Sequence, residues 1–409
     1  MAHWPAGRHA GRRKTTFMAA SSQDRDASDG FSSRLATFYA AMFVFAGIVM
    51  PFFPVWLQAK GLDSRATGIV LAVPMLMRLI SVPWIARLAD RRSAFRAVLI
   101  AASVGSALAY VLLSQAAGFV PILLAVALAS VATAPALPLT DAYALKGLGL
   151  RGRAYGPVRL WGSVAFVAAN LGAGLVVDRI APIHIIWLLV AALVMVAAVS
   201  LALRPLAAEI SATEAFGVPD RKLLLSPGFW VITAAAGLIQ ASHAVYYGFS
   251  VLDWRTKGLD ATLIGGLWGL AVAAEIVLFA VSARLPKRMS PLGLVGLGAC
   301  GACVRWGAMS FDPPLALLPL LQLLHAFSFG ATHLGSVQLL ARIAPERQFA
   351  TAQGDFSTVL ALVMAGGLAL SGVLYADLGG RAYAAMALAA ALGGAFVLLA
   401  RRLVGGRDF

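Results

Sequence analysis

Hydrophobic and polar positions follow each other along this chain in long blocks. Apolar runs of about 20 residues alternate with short charged or Pro/Gly-rich breaks, and about 20 apolar residues in a helix cross the hydrocarbon core of a bilayer. The pattern therefore predicts twelve membrane-spanning helices. They are expected near residues 35–58, 67–86, 97–116, 119–142, 157–177, 183–203, 229–252, 262–283, 292–311, 314–341, 354–376 and 382–400.

Composition excludes a water-soluble protein. Of 409 residues, 60% are hydrophobic and only 12% are charged, whereas soluble domains have about one quarter charged residues. The two cysteines, Cys300 and Cys303, lie in an apolar run and supply neither a disulfide framework nor the four ligands of a structural zinc site. We therefore predict an all-α polytopic membrane protein that needs no cofactor or metal.

The net charge of +15 is explained by the distribution of basic residues between the two sides of a membrane. With both termini placed in the cytoplasm, the inside segments hold 25 Lys and Arg residues and the outside loops hold 6. Basic residues concentrate in cytoplasmic loops of membrane proteins, so the charge favours this orientation and gives no reason to expect a nucleic-acid partner. The expected location is a bacterial inner membrane, with the lipid bilayer around the protein.

The chain divides into two six-helix halves, 35–203 and 229–402. They are joined by a polar central loop, 204–228, and flanked by cytoplasmic tails, 1–34 (expected to be disordered) and 403–409. Lys60-Gly61-Leu62-Asp63 recurs as Lys257-Gly258-Leu259-Asp260, and the Arg-Leu-x-x-Arg-x-Ser pattern at 87–93 recurs at 284–290, both at an offset of 197 residues. Two repeats in parallel are typical of transporters that rock around a site between their halves.

The loop after the second helix carries a recognisable motif. Arg87-Leu88-Ala89-Asp90-Arg91 resembles the signature of the major facilitator superfamily between helices two and three, although Ala86 and Ser93 stand at its two glycine positions. The resemblance covers residues 35 to 402 and implies the twelve-helix fold of that superfamily. It also implies a gating role for Arg87, Asp90 and Arg91. A plain basic cytoplasmic loop is the alternative.

Several ionisable residues fall inside the predicted spans, where a charge is costly and usually functional. Arg78 and Glu275 lie mid-span and are separated by the repeat offset of 197 residues. We therefore expect them at equivalent positions of the two halves. They would meet when a gate closes, or they would form a static ion pair. Span ten places Gln322, His325 and Phe329 on one helical face, which predicts a water-facing surface. His243 and His333 are interpreted as helix–helix hydrogen bonders.

The pattern resembles the lactose permease and phenylpropionate permease branch of the superfamily. In that branch an acidic residue in helix four precedes, by 18 positions, an arginine that opens a motif matched here by Arg159-Leu160-Trp161-Gly162-Ser163. The resemblance implies substrate-binding or proton-coupling roles for Asp141, Arg159, Phe166, Glu275, Arg305 and His325. Ser328 stands where the lactose permease has its proton-carrying glutamate, which leaves the proton carrier open.

These residues predict a proton-coupled symporter, because the sequence has no nucleotide-binding loop to supply energy. Arg78 and Arg305 would balance an anion once a carboxyl is protonated, and Trp268, Phe166 and Phe329 would hold a ring. We therefore favour an aromatic carboxylate as the substrate. The predicted substrate-binding residues then also include Arg78, Trp268, Gln322 and Phe329. The predicted proton-coupling residues are Glu275, Arg305 and His325. A sugar or nucleoside, drug efflux, and a sensor that binds without transport are the alternatives. We expect a monomer.

Overall fold

The structure, a computed structural model, describes residues 30–91, 94–206, 226–284, 289–344 and 349–403. Most of the predicted tails and of the predicted central loop lies outside these residues. Within them the chain is helical and has no strand. The helices of the first half are α1 (Phe31–Ala59), α2 (Ser64–Arg91), α3 (Phe95–Gln115), α4 (Phe119–Thr133 and Ala136–Gly149), α5 (Tyr155–Val177) and α6 (Ile185–Ser200).

The second half repeats the arrangement with two further interrupted helices. Its helices are α7 (Pro227–Ala241 and Ala244–Thr256), α8 (Ala261–Val281), α9 (Pro291–Ser310), α10 (Leu318–Leu323, Ala326–Ala331 and Thr332–Ile343), α11 (Phe349–Leu378) and α12 (Tyr383–Leu403). The first helix begins at Phe31, inside the predicted tail.

Eleven stretches of the described residues are long and apolar enough to cross a membrane. The last of them, Thr351–Leu403, is 53 residues long and contains both α11 and α12. A turn at Gly379–Ala382 joins these two helices. The described chain therefore has the twelve helices that the hydrophobic pattern predicts.

The first sequence repeat forms the same turn twice. Gly61 and Gly258 have positive φ angles of 83° and 87°, which glycine adopts without steric cost. The side chains of Asp63 and Asp260 each accept a hydrogen bond from the backbone N–H three residues later, at 2.8 and 2.7 Å, and so cap α2 and α8. The second repeat lies partly outside the described residues.

The two halves pack together at one end of the bundle, here called the closed end, where α2 and α8 begin and α5 and α11 end. At that end α2 packs against α11, and α5 packs against α8. A Cβ atom on Gly68 of α2 would lie 2.8 Å from the Cα atom of Gly372 in α11, so only glycine permits this approach. The second segment of α4 and the last segment of α10, at the opposite end, pack mainly within their own halves.

Asp178 joins the halves at the closed end. It follows α5, and its carboxylate accepts hydrogen bonds from the backbone N–H groups of Ala261 (2.6 Å) and Thr262 (2.9 Å) and from the Thr262 hydroxyl (2.6 Å) at the start of α8. Burial raises the pKa of Asp178, but these hydrogen bonds lower it by more. The net result is a pKa below the usual value of an aspartate carboxyl. A negative charge at a helix N-terminus is also favourable.

Candidate functional site

A cavity of about 590 Å³ lies between the halves. The glycine contact between α2 and α11 separates it from the closed end. Aromatic side chains from both halves form much of its wall, with polar groups spread among them. The aromatic residues are Phe45, Phe53, Tyr110, Tyr247 and Phe329. The polar residues are Arg78, Ser130, Thr133, Gln240, His333 and Ser357. Among the described residues the lining contains no carboxylate, so its one permanent charge is positive.

Arg78 supplies that charge. It lies midway along α2, as the sequence predicts, and makes no hydrogen bond or ion pair within the described parts of the chain. The expected meeting with Glu275 is not present among the described residues. Glu275 instead lies 3.6 Å from His325 in its own half, and the first-half cation whose charge acts on it is Arg159. Arg78 and Glu275 therefore occupy equivalent positions in the sequence repeat but do not contact each other in this conformation.

The first half holds a second charged cluster, around Asp141. Two phenol groups donate to the same carboxylate oxygen, Tyr39 at 2.6 Å and Tyr155 at 2.9 Å. The Nε atom of Arg159 is 4.0 Å from that oxygen, beyond hydrogen-bond distance, and its guanidinium stacks on the ring of Phe43 at 4.1 Å. The sequence placed Asp141 and Arg159 together but did not indicate the two tyrosines, which have no charge or spacing motif to mark them.

The second half buries its cluster completely. The guanidinium of Arg305 donates to Gln322 at 2.6 Å and to Nδ1 of His325 at 2.9 Å, and it lies over the rings of Tyr246 and Trp306 at 4.6 and 4.4 Å. Within the described chain no carboxylate lies in ion-pair distance of Arg305. Its partners are therefore neutral acceptors and aromatic faces, and the nearest carboxylate in the network, Glu275, is reached through His325.

These contacts determine which nitrogen of His325 carries the proton. A guanidinium only donates, so Nδ1 of His325 accepts, and in the neutral ring the proton is on Nε2, which faces Glu275. In the same way Nδ1 of His243 faces two backbone carbonyl oxygens and carries a proton, and its Nε2 atom, 3.1 Å from the Ser328 hydroxyl, accepts. A chain of polar contacts thus runs from Glu275 to His243.

His243 bridges α7 to α10 as the sequence interpretation proposed. Ser328, which stands where the related permease has a glutamate, connects His243 to the network, since Nη1 of Arg305 also lies 3.4 Å from its hydroxyl. His333 differs from the prediction because its side chain lines the cavity.

The face of α10 that was predicted to contact water is largely buried. Gln322 and His325 point into the packed half, and only Phe329 of the three reaches the cavity. A π-helical turn at Ala326–Ala331 follows them, has more residues per turn than an α-helix and so changes the direction of Phe329 relative to Gln322 and His325. Steps of three and four residues therefore do not mark one continuous face in this helix.

Two aromatic residues predicted to bind a ring lie elsewhere. Trp268 is 2% exposed and stacks on Tyr246, with ring centroids 4.6 Å apart. Phe166 is buried beside α1 and, like Trp268, does not line the cavity between the halves. In this conformation each ring is held by packing within the protein, and the substrate-binding roles of both residues stay predictions. The side chains of Asp90 and Arg91 lie outside the described residues, and Arg87 is exposed.

Two helical halves around a cavity with buried ionisable groups define a secondary transporter, and the relatives of this chain are transporters rather than enzymes. The chain belongs to the MFS_1 like family, whose sequence profile matches residues 32–385. It is 31% identical over 365 residues, 87% of this chain and 94% of the relative, to a protein named probable 3-phenylpropionic acid transporter from Escherichia coli. It is 30% identical over 328 residues, 79% of this chain and 82% of the relative, to a maltose permease of Geobacillus stearothermophilus.

Solved structures show the same fold at low sequence identity. The nucleoside transporter NupG superimposes with a TM-score of 0.79 at 14% identity, over 92% of this chain and 100% of that one. A bacterial homologue of the human lysosomal transporter Spinster gives a TM-score of 0.74 at 14% identity, over 91% of this chain and 96% of that one. The twelve-helix fold of the major facilitator superfamily is therefore the fold of this protein.

Proposed function

We propose that this protein is a proton-coupled symporter for a small aromatic carboxylate. The observation that carries the proposal is Arg78, a cation without a hydrogen bond or ion pair among the described residues, in a cavity whose walls are rich in aromatic rings. A carboxylate would pair with the guanidinium through charge-assisted hydrogen bonds, and a neighbouring ring such as Phe45 would pack against an aromatic group. The relative named for 3-phenylpropionic acid supports this substrate class.

Proton coupling is proposed for Glu275. The carboxylate faces the protonated nitrogen of His325, while Arg305 lies buried on the other side of that ring. Protonation of Glu275 removes the negative charge of this network and leaves the charge of Arg305 uncompensated. An anion in the neighbouring cavity would then restore the balance, so that proton and anion bind together. Ser328 cannot take over this role because a hydroxyl does not titrate in the physiological range.

Transport would proceed by rocking of α1–α6 against α7–α12 around the cavity. The excess of Lys and Arg in the predicted inside loops favours cytoplasmic termini, and this orientation would put the closed end at the outer face of a bacterial inner membrane. In this conformation the substrate would exchange with the cytoplasm. We propose that the protein works as a monomer, because each chain contains both halves of the site.

A sugar or nucleoside is the second candidate substrate. The maltose permease relative and the fold shared with a nucleoside transporter favour it. A sugar requires many hydrogen-bond partners, and the carboxylate best suited to this, Asp141, is occupied by Tyr39 and Tyr155 and does not line the cavity. The arrangement therefore fits one negative charge and one ring better than a set of hydroxyl groups.

Purified protein in liposomes tests the proposal. Labelled 3-phenylpropionate should exchange across the membrane in counterflow, and an inwardly directed proton gradient should drive its accumulation. Maltose, a nucleoside and the neutral amide of the acid should compete poorly. Exchange of maltose alone would overturn the substrate class, accumulation without a proton gradient would overturn the coupling, and binding without exchange would identify a sensor. Uptake driven by an outwardly directed proton gradient would indicate efflux.

A further inference from the structure

A second cavity, of about 270 Å³, lies inside the first half and is here called the side pocket. Helices α1, α2, α3, α4 and α6 surround it, and no residue of the second half that the structure describes lines it. Five residues line both the side pocket and the central cavity, and Arg78 is the charged one among them. The shared residues are Phe45, Pro74, Met75, Arg78 and Thr133. The unpaired guanidinium therefore stands at the junction of two spaces.

The walls of the side pocket are apolar or unable to donate hydrogen bonds. Met42, Phe43, Leu137, Leu193 and Val196 supply much of the surface. Its hydroxyl groups donate to carbonyl oxygens of their own helices. These bonds are Ser103 to Leu99 at 2.7 Å, Ser106 to Ala102 at 2.7 Å and Thr133 to Ala129 at 3.0 Å. Apart from Arg78, the pocket thus has little to offer the hydroxyl groups of a sugar.

The volume of the side pocket suits one ring with a short chain. An engineered apolar cavity of about 150 Å³ binds benzene. The side pocket, at about 270 Å³, therefore has room for a benzene ring and at least one further methylene group. One wall is also held in place from behind, because the guanidinium of Arg159 stacks on the ring of Phe43. The pocket is therefore formed before a ligand arrives, which reduces the entropy lost on binding.

We propose that the side pocket is the subsite for the apolar tail of the transported acid, with the carboxylate held by Arg78 at the pocket mouth. The inference rests on the proposed function and adds a location and a selectivity. The ring is bound by the first half alone, and the ligands selected are monocarboxylates with one aromatic or compact alkyl group. Phe43 and Met42 become residues that determine which tails are accepted.

Two substitutions fill the side pocket without changing Arg78 or the central cavity. Ala46→Leu in α1 and Ala136→Leu in α4 alter residues that line the side pocket alone of the two cavities. The matched control is Ala101→Leu, an exposed alanine in a lipid-facing groove on the other side of α3. Calorimetry on the purified protein would give the Kd of 3-phenylpropionate for each variant.

Filling the pocket should raise this Kd by at least about tenfold, because the ring loses its buried site, while the control variant binds like the unmodified protein. Met42→Ala, which enlarges the pocket, should improve binding of a naphthyl acid relative to the phenyl acid. Unchanged affinity in both filled variants would place the ring in the central cavity and overturn the proposal. Equal weakening by Ala101→Leu would do the same, since the effect would then not be local.

A crystal of the complex with 3-(4-bromophenyl)propionate gives a readout that does not depend on variants. Anomalous scattering should place the bromine between α1, α3 and α4. Bromine between the two halves would contradict the side pocket and leave the proposed function intact. If the unmodified protein neither binds nor exchanges 3-phenylpropionate, the proposed substrate class fails, and the side-pocket proposal fails with it.

Discussion

The two halves of this transporter treat their charged residues differently. In the first half Asp141 accepts hydrogen bonds from two tyrosines and stays 26–35% exposed together with Arg159, and Arg78 lies unpaired at a cavity wall. In the second half Arg305 is fully buried, and its partners are neutral groups and aromatic rings. The halves share one fold but differ in which charges a solute can reach.

This difference indicates a division of labour. An accessible, unpaired guanidinium is suited to reversible binding of an anion. The charge-assisted hydrogen bonds to a bound carboxylate offset the free energy of desolvating the guanidinium. A buried guanidinium beside a His–Glu pair is suited to a charge balance that one proton can change, because the interior screens charges weakly. We therefore expect substitutions in the second half to affect coupling and substitutions in the first half to affect binding.

The largest effect is expected for Glu275→Gln, which tests the second half. The amide cannot take up a proton, so accumulation driven by a proton gradient should fall to background, while counterflow exchange continues. Both are measured in proteoliposomes. Asp377→Asn, which removes a carboxylate from an exposed ion pair with Arg65 at the closed end, is the matched control and should retain accumulation. Accumulation by Glu275→Gln at the unmodified rate would end the assignment of coupling to this half.

Arg159 tests whether the first half needs a planar cation. Its guanidinium stacks on Phe43 at 4.1 Å and lies 5.3 Å from the Tyr39 ring, and two partly exposed contacts of this kind are worth about 1 kcal/mol each. Arg159→Lys and Arg159→Ala should therefore both weaken substrate binding, by roughly thirtyfold. Calorimetry measures this directly. Full affinity in the lysine variant would show that charge alone matters there.

Arg78→Gln tests which half binds the anion. Each charge-assisted hydrogen bond contributes about 1.5 to 3 kcal/mol, so the variant should bind 3-phenylpropionate at least about tenfold more weakly. The neutral amide of the same acid should bind the variant and the unmodified protein alike. Equal loss for acid and amide would mean that Arg78 shapes the cavity without pairing with the carboxylate.

The smallest effect is expected at the closed end, which holds the halves together. Asp178→Asn removes the charge that caps α8, at a cost of about 1 kcal/mol, so the population open at that end should rise roughly fivefold. Distance measurements between spin labels on the loops at 60–63 and 379–382 would report it. Thr262→Val, which removes one of the three hydrogen bonds, should give a weaker shift in the same direction.

The pKa of Asp178 also predicts a pH dependence. Because this pKa is lowered in the closed conformation, Asp178 stabilises that conformation above its ordinary pKa, and the contribution is lost only as the pH falls through the lowered value. Between pH 5 and 8 the closed end should therefore stay capped, and Asp178→Asn should leave the shape of the pH profile of transport unchanged. A shifted profile would assign proton sensing to this contact.

The sequence by itself determined the number of helices, the two halves and the turns that begin α2 and α8. Long apolar blocks place helices in a bilayer whatever their neighbours are, and the repeated Lys-Gly-Leu-Asp turns depend on a positive φ at glycine and on an aspartate cap within four residues. It also brought Asp141 near Arg159 and His325 near Arg305, because the family resemblance carries that information.

Only the tertiary structure decided which of these side chains a solute can reach. The π-helical turn in α10 places Phe329 at the cavity while Gln322 and His325, which precede the turn, lie buried, and the stacking of Trp268 on Tyr246 keeps that ring away from the cavity. The separation of Arg78 from Glu275 likewise depends on how the two halves pack against each other. Such features arise from packing between distant segments, which spacing along one helix does not encode.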